Sequence, residues 1–295
     1  MNLKQKRRRQ ASLLGAAAVI AATALLAGCG GAAQTNSKDK GSDQPSSAAE
    51  SPAPSPTEQA KPASPSPTAA PEASASTAPA ISEPAKPLYK MSSVYRFSPI
   101  EEGTEKKVVL LTFDDGPKDE AVLTSMLDTL DKHKAKAIFF VNGYRVKQNP
   151  ELLKLIHERG QTIGNHSWDH IDLKKENEEK IEQQIGDVQK DVEAIVGEPP
   201  RFFRPPYGSG GDKVKEIAKN HGLLFMTWSN GSLDWEQKSP GKPDEVIANV
   251  LDQLHPGANI LMHELGWTAE ALDGLLTKLE EKGYGFIDPS TIELP

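Results

Sequence analysis

Two carboxylates stand side by side at Asp114 and Asp115, inside Thr112-Phe113-Asp114-Asp115-Gly116-Pro117. The apolar run Val108-Val109-Leu110-Leu111 precedes them and a Gly-Pro breaker follows, so they are expected where a strand stops and a loop begins. In α/β folds that edge is where chemistry is usually placed. Adjacent like charges resist joint ionisation unless a cation or an arginine lies close by. A solvated turn would use the same residues, because Asp, Gly and Pro all favour turns. The hexamer alone does not choose between turn and active site.

Further along, His166-Ser167-Trp168-Asp169-His170 separates two imidazoles by three residues. On a helical turn that spacing puts both rings on one side, an arrangement that suits a metal ion. Ordinary surface histidines are the alternative, but the chain has only seven His, and two at ligand spacing favour metal. Arg204-Pro205-Pro206-Tyr207-Gly208 offers a guanidinium on a proline-stiffened loop. It could grip a carboxylate in bidentate fashion or be a structural arginine. Two more polar stretches are Ser232-Leu233-Asp234-Trp235 and Leu261-Met262-His263. A lone strand histidine is more often packed core than catalyst; His263 gains weight as one of five polar sites at successive strand ends.

Those strand ends follow from the hydrophobic patterning. Strands are predicted at residues 107–113, 137–141, 161–165, 201–204, 223–228, 258–263 and 284–288. Helices are predicted at 119–134, 150–158, 181–196, 212–220, 243–254 and 268–282. The clearest keeps Ile181, Ile185, Val188, Val192, Ile195 and Val196 on one face and stops at Gly197 before Pro199-Pro200. Such β–α alternation predicts an α/β fold with a parallel sheet, either closed into a barrel or open. No solenoid-type repeat interrupts it.

The N-terminal third has a different character. Lys4, Lys6, Arg7, Arg8 and Arg9 form a basic region before an apolar stretch over residues 11–26. This is the pattern of a secretory signal, with a membrane-spanning helix as the alternative. Cys29 is the only cysteine, so no intrachain disulfide can form. Leu26-Ala27-Gly28-Cys29 resembles the lipobox of bacterial lipoproteins, which implies cleavage before Cys29 and lipid attachment to its sulfur. Either reading puts the rest of the chain outside the cytoplasm. From residue 30 to about 86 the chain is Ala, Ser, Pro and Thr without aromatics, too polar to form a core and suited to a disordered tether. The expected organisation is a signal peptide at 1–28, a tether at 29–87 and a folded domain at 88–295. Removing residues 1–28 takes away five basic side chains and no acidic ones, so the formal net charge falls from −7 to −12. An acidic product argues against nucleic-acid binding.

The five polar stretches resemble the five ordered motifs of the polysaccharide deacetylase family (the NodB homology domain, carbohydrate esterase family 4). They are TFDDGP at 112–117, HSWDH at 166–170, RPPYG at 204–208, LDW at 233–235 and LMH at 261–263. The resemblance covers residues 105–290 and implies a distorted, partly open (β/α) barrel. It also implies a divalent ion held by Asp115, His166 and His170; Zn²⁺ suits such a set, and Co²⁺, Ni²⁺ or Mn²⁺ could serve. Asp114 is implied as general base, oriented by Arg204, and His263 as general acid, oriented by Asp234. The backbone N–H of Tyr207 is implied to stabilise the oxyanion, with Trp235 and Leu261 lining the acetyl pocket.

The implied function is a lipid-anchored, metal-dependent hydrolase that removes acetyl groups from an extracytoplasmic N-acetylated glycan. Anchor and spacer favour peptidoglycan, with N-acetylglucosamine first and N-acetylmuramic acid next. Chitin oligomers, poly-N-acetylglucosamine and O-acetylated xylan are alternatives, and a glycan-binding wall protein is the non-enzyme alternative. Beyond glycan and membrane, no obligate protein partner is evident. One departure stands out. The family's fourth motif often begins with an Asp where this chain has Gly231, a change expected to enlarge the local loop and affect substrate choice or tuning rather than competence.

Overall fold

Alternating apolar strands and amphipathic helices build the fold. The computed structural model describes residues 86–236 and 241–295. Cys29 and the expected signal segment and tether, up to residue 85, lie outside the described residues.

A short antiparallel pair, β1 (Tyr89–Met91) and β2 (Phe97–Pro99), comes first. Then follow β3 (Val108–Gly116), α1 (Glu120–Lys132), β4 (Ala137–Val141), α2 (Gly143–Gln148), α3 (Pro150–Glu158) and β5 (Thr162–Asn165). Next come α4 (Glu178–Val196), β6 (Phe202–Phe203), α5 (Asp212–Asn220), β7 (Leu224–Phe225) and β8 (Asn230–Gly231). The chain ends with α6 (Pro243–Asp252), β9 (Ala258–His263), α7 (Gly266–Glu281) and β10 (Gly285–Phe286).

Strands β3 to β10 form one parallel sheet in the order β7-β6-β5-β4-β3-β9-β8, with β10 also pairing with β3. The path is open, with β7 and β8 at its ends. The α/β expectation of a distorted, partly open barrel therefore holds. Central strands β3, β4 and β9 are buried along almost their whole length, as expected of parallel strands covered on both faces. One face packs on α1, α3, α4, α6 and α7 through residues such as Leu127, Ile156, Val188, Val250 and Leu275. The other encloses Leu110, Ile138, Phe140 and Phe202 together with Tyr89 and Phe97 of the N-terminal pair.

Caps fix where the helices start. Asp119 accepts the Val122 N–H at 2.9 Å ahead of α1, and Asn177 accepts the Lys180 N–H at 2.8 Å ahead of α4. Gly197 closes α4 in the left-handed region at φ 89°.

Several boundaries differ from expectation. The strand predicted to stop at residue 113 continues to Gly116, so both aspartates lie within β3, at a bulge between Asp114 and Gly116. Strands β6 and β7 each keep only two residues of their predicted spans. Helix α2 and the β1–β2 pair have no apolar period long enough to signal them.

Candidate active site

Parallel strands deliver their C-terminal ends to one edge, and register decides which residues meet there. The β3–β9 register sets Asp114 beside His263 and Thr112 beside Leu261. The β4–β5 register sets Val141 beside Asn165, so His166 emerges one residue past the pair. Arg204 follows β6 directly, and its N–H donates to the Asn165 carbonyl at 3.0 Å.

The two aspartates face different surroundings. Asp114 is buried and accepts from Arg204 Nη1 at 2.7 Å. Its other oxygen lies 3.6 Å from His166 Nε2. Asp115 takes φ 69° at the bulge, and its carboxylate reaches both imidazoles. Its Oδ1 lies 3.5 Å from His166 Nε2 and 3.2 Å from His170 Nε2.

Asp115, His166 and His170 each present one ligand atom, and these atoms lie within 4.8 Å of one another. Their chemistry fits a divalent ion. His166 Nδ1–H donates to the Arg204 carbonyl at 2.7 Å, which fixes the tautomer and leaves the Nε2 lone pair facing Asp115. Asp115 Oδ1 is buried without a hydrogen-bond partner among the described residues, a costly arrangement for a carboxylate unless a cation meets it. Burial alone would raise the Asp115 pKa. The imidazoles of His166, His263 and His170 and the ammonium of Lys118 outweigh burial and hold the carboxyl below its ordinary value. Burial lowers His170, against the pull of Asp115, and so favours the neutral imidazole a metal requires.

The histidines do not sit on a helix. Residues 166–170 form an irregular loop in which Ser167 and His170 adopt φ 65° and 54°. Local hydrogen bonds replace the helical ladder: Ser167 N–H donates to Asn165 Oδ1 and Asp169 N–H to Gln184 Oε1. The first N–H groups of α2 also donate to this loop, Gly143 to Ser167 O and Tyr144 to Trp168 O. Gly143 is required there, because a Cβ would enter the Trp168 ring. The expected ring proximity is present, but loop geometry produces it rather than helical spacing.

Arg204, 0 % exposed, does not grip a carboxylate in bidentate fashion. Its Nη1 serves Asp114 and the Thr112 hydroxyl (2.8 Å), while Nη2 serves Thr227 O and Asn259 Oδ1. Spreading the donors over four acceptors locks the guanidinium in place and leaves one Asp114 oxygen for other work. The ring of Phe140 covers it, 4.3 Å from guanidinium carbon to centroid.

On the opposite side of the cluster Asp234 is fully buried and gathers three donors. They are His263 N–H at 2.7 Å, His263 Nδ1–H at 2.8 Å and the Thr268 hydroxyl at 2.7 Å. Burial would lower the His263 pKa; the Asp234 carboxylate reverses this, Asp114 and Asp115 add to it, and the imidazole ends above its ordinary value.

Two exposed aromatics flank the site. Tyr207, at φ 60° and 67 % exposed, packs edge-on to His170, and Trp235, 41 % exposed, packs edge-on to His263. Gly231 lies in β8, buried and paired with Leu261, so the expected enlarged loop is absent there. A Cβ at this position would meet Trp235 at 3.2 Å, which means that its absence lets the indole approach the strand.

A family profile described as polysaccharide deacetylase matches residues 101–226. The peptidoglycan-N-acetylglucosamine deacetylase PgdA of Listeria monocytogenes is 40% identical over 200 residues, 68% of this chain and 41% of that protein. The peptidoglycan-N-acetylmuramic acid deacetylase PdaA of Bacillus subtilis is 34% identical over 185 residues, 62% of this chain and 70% of that protein. The chain belongs to the polysaccharide deacetylase family. Its match with PgdA thus spans about two-fifths of that longer relative. Among solved structures, a carbohydrate esterase family 4 pseudoenzyme from Bacillus anthracis superposes with a TM-score of 0.60 at 35% identity, covering 64% of this chain and 68% of that one. The Asp-His-His cluster gives this family fold a set of ligands suited to a divalent ion.

All seven expected polar residues of this deacetylase fold converge on one edge. Thr112, Asn165, Asn259 and Thr268, missed from the sequence, are buried and hold Arg204, Asp234 and the His166 loop by hydrogen bonds. A polar residue inside an otherwise apolar strand, as at Thr112 and Asn259, is the signal that could have found them.

Proposed function

We propose that the protein is a metal-dependent N-deacetylase acting on an extracytoplasmic glycan, with peptidoglycan N-acetylglucosamine as its first substrate. The observation that carries this reading is the split aspartate pair, one carboxylate turned to two imidazoles and its neighbour to a buried arginine. A divalent ion held by Asp115, His166 and His170 supplies Lewis acidity, lowering the pKa of a water and polarising an amide carbonyl.

Asp114 then accepts the water's proton through the oxygen that Arg204 leaves free. The water oxygen bonds to the acetyl carbon, and the backbone N–H of Tyr207 donates to the developing oxyanion. His263 gives its Nε2 proton to the departing nitrogen as the C–N bond breaks, yielding acetate and a free amine. Asp234 fixes the His263 tautomer, since Nδ1–H is committed to it. Trp235 and Leu261 border the space for the acetyl methyl.

The pH profile is the first consequence. With Asp234→Asn the group that raises His263 is gone while burial remains, so His263 loses its proton at lower pH. A general acid must be protonated, so the alkaline limb of kcat moves toward lower pH. The maximum rate falls on the order of 10²-fold. An unmoved alkaline limb in a folded Asp234→Asn protein would remove His263 from the acid role.

Substrate class is read by incubating the full chain with peptidoglycan, N-acetylglucosamine oligomers and acetylated xylan and measuring released acetate. Fastest release from peptidoglycan supports the proposal; release from xylan alone replaces it with an O-esterase. No release from any glycan after metal loading leaves the glycan-binding wall protein, a reading that the pseudoenzyme relative keeps relevant.

The sequence features of residues 1–87 support a lipid anchor at Cys29 and a spacer carrying the domain outside the cytoplasm. Cys29→Ser should block lipid labelling and release the protein from membranes; unchanged labelling would refute the anchor.

A further inference from the structure

Glu264 follows His263 directly, is 1 % exposed and takes no part in the chemistry above. Its backbone N–H donates to the Asp114 carbonyl at 3.3 Å, which links the end of β9 to the end of β3. Its side chain then reaches past the aspartates. Oε1 accepts the N–H groups of Lys118 and Asp119, each at 2.9 Å. Oε2 is buried, has no hydrogen-bond partner among the described residues and lies against Gly116, where a Cβ would collide with it.

A carboxylate taken out of water with one oxygen unpaired costs free energy. Capping α1 does not require that cost, because the Asp119 side chain already accepts the Val122 N–H. The segment that Glu264 holds is the one that fixes Asp115. A non-glycine residue at φ 69° is strained by about 1 kcal/mol and needs its neighbours held. Gly116 O is tied to Asn142 N–H at 3.1 Å and Pro117 O to Asn149 Nδ2 at 3.1 Å. Glu264 secures the two N–H groups that come next.

We propose that Glu264 is a positioning residue for the metal site, tethering residues 116–119 so that Asp115 keeps the left-handed backbone that turns its carboxylate toward His166 and His170. Without the tether the Lys118 and Asp119 N–H groups lose their acceptor, the segment relaxes and the Asp115 oxygen drifts from the imidazoles. The inference rests on the metal reading of the Asp-His-His cluster.

Zn²⁺ affinity of the full chain, measured by competition with a chromophoric chelator, tests it alongside thermal unfolding in excess chelator. Glu264→Ala should weaken Zn²⁺ binding by about 10- to 100-fold, as loss of a group supporting a metal ligand typically does. Asp119→Ala, which damages the same helix end, should lower the metal-free unfolding temperature and leave Zn²⁺ affinity at the wild-type value. Glu264→Gln keeps an Oε1 acceptor and should restore most of the affinity. Wild-type affinity in Glu264→Ala, an equal loss in Asp119→Ala, or a Gln variant as weak as Ala would each overturn the tether. A wild-type protein that binds no Zn²⁺ would sink the metal reading itself, and the tether with it.

Discussion

Asp115→Ala should abolish both metal binding and hydrolysis while the metal-free protein stays folded. Oδ1 is buried without a hydrogen-bond partner among the described residues, but the surrounding imidazoles and Lys118 favour the ionised carboxyl, so the metal-free variant should lose a little stability at neutral pH. Metal bound only by the native state stabilises by mass action, about 2.7 kcal/mol at a hundredfold excess over Kd. Wild-type protein should therefore melt at higher temperature when Zn²⁺ is added, and Asp115→Ala should not respond. On the rate, several kcal/mol of electrophilic assistance are lost, which corresponds to about 10³-fold or more. Chelation of the wild type should give the same loss, reversed by adding metal back. Full activity in Asp115→Ala, or activity indifferent to chelator, would show that the cluster holds no catalytic ion.

The companion substitution separates the two carboxylates. Asp114→Asn should lower kcat on the order of 10³-fold while Zn²⁺ affinity stays near the wild-type value. The amide still accepts from Arg204 but no longer takes a proton from water. Arg204 is 0 % exposed and receives no other carboxylate, so the neutral partner leaves a buried charge less well compensated. A stability loss of about 2 kcal/mol is expected, well short of unfolding a domain with this core. Rates should therefore be compared well below the melting temperature. If Asp114→Asn lost metal as completely as Asp115→Ala, the division of labour between the neighbours would be wrong.

That division was only partly legible in the sequence. The apolar runs ahead of Asp114 and His263 placed both at strand ends, and parallel pairing brought the ends together, because β–α alternation leaves little topological choice. Side-chain direction was not legible. It depends on a bulge at Asp115 and on positive φ at Ser167, His170 and Tyr207, conformations imposed on ordinary residues by tertiary hydrogen bonds. Helical spacing for His166 and His170 was therefore the wrong reason for a correct pairing. Arg204 shows the same limit: its type suggested a two-point grip, whereas its four acceptors come from three separate stretches, which periodicity does not reveal. Gly231 was misplaced for want of a signal, since Asn230–Gly231 is too short to read as a strand. Its close approach to Trp235 makes it a packing position beside the proposed acetyl pocket.

Metal-dependent cleavage of an amide releases acetate and a primary amine together, and both can be counted. Full-length protein is incubated with peptidoglycan, with added Zn²⁺ or with excess chelator, and released acetate and newly formed primary amines are counted in the same sample. Acetate and amine should appear in equal amounts with Zn²⁺, and neither should appear with chelator. Acetate without amine, or equal yields in chelator, would contradict metal-dependent amide cleavage.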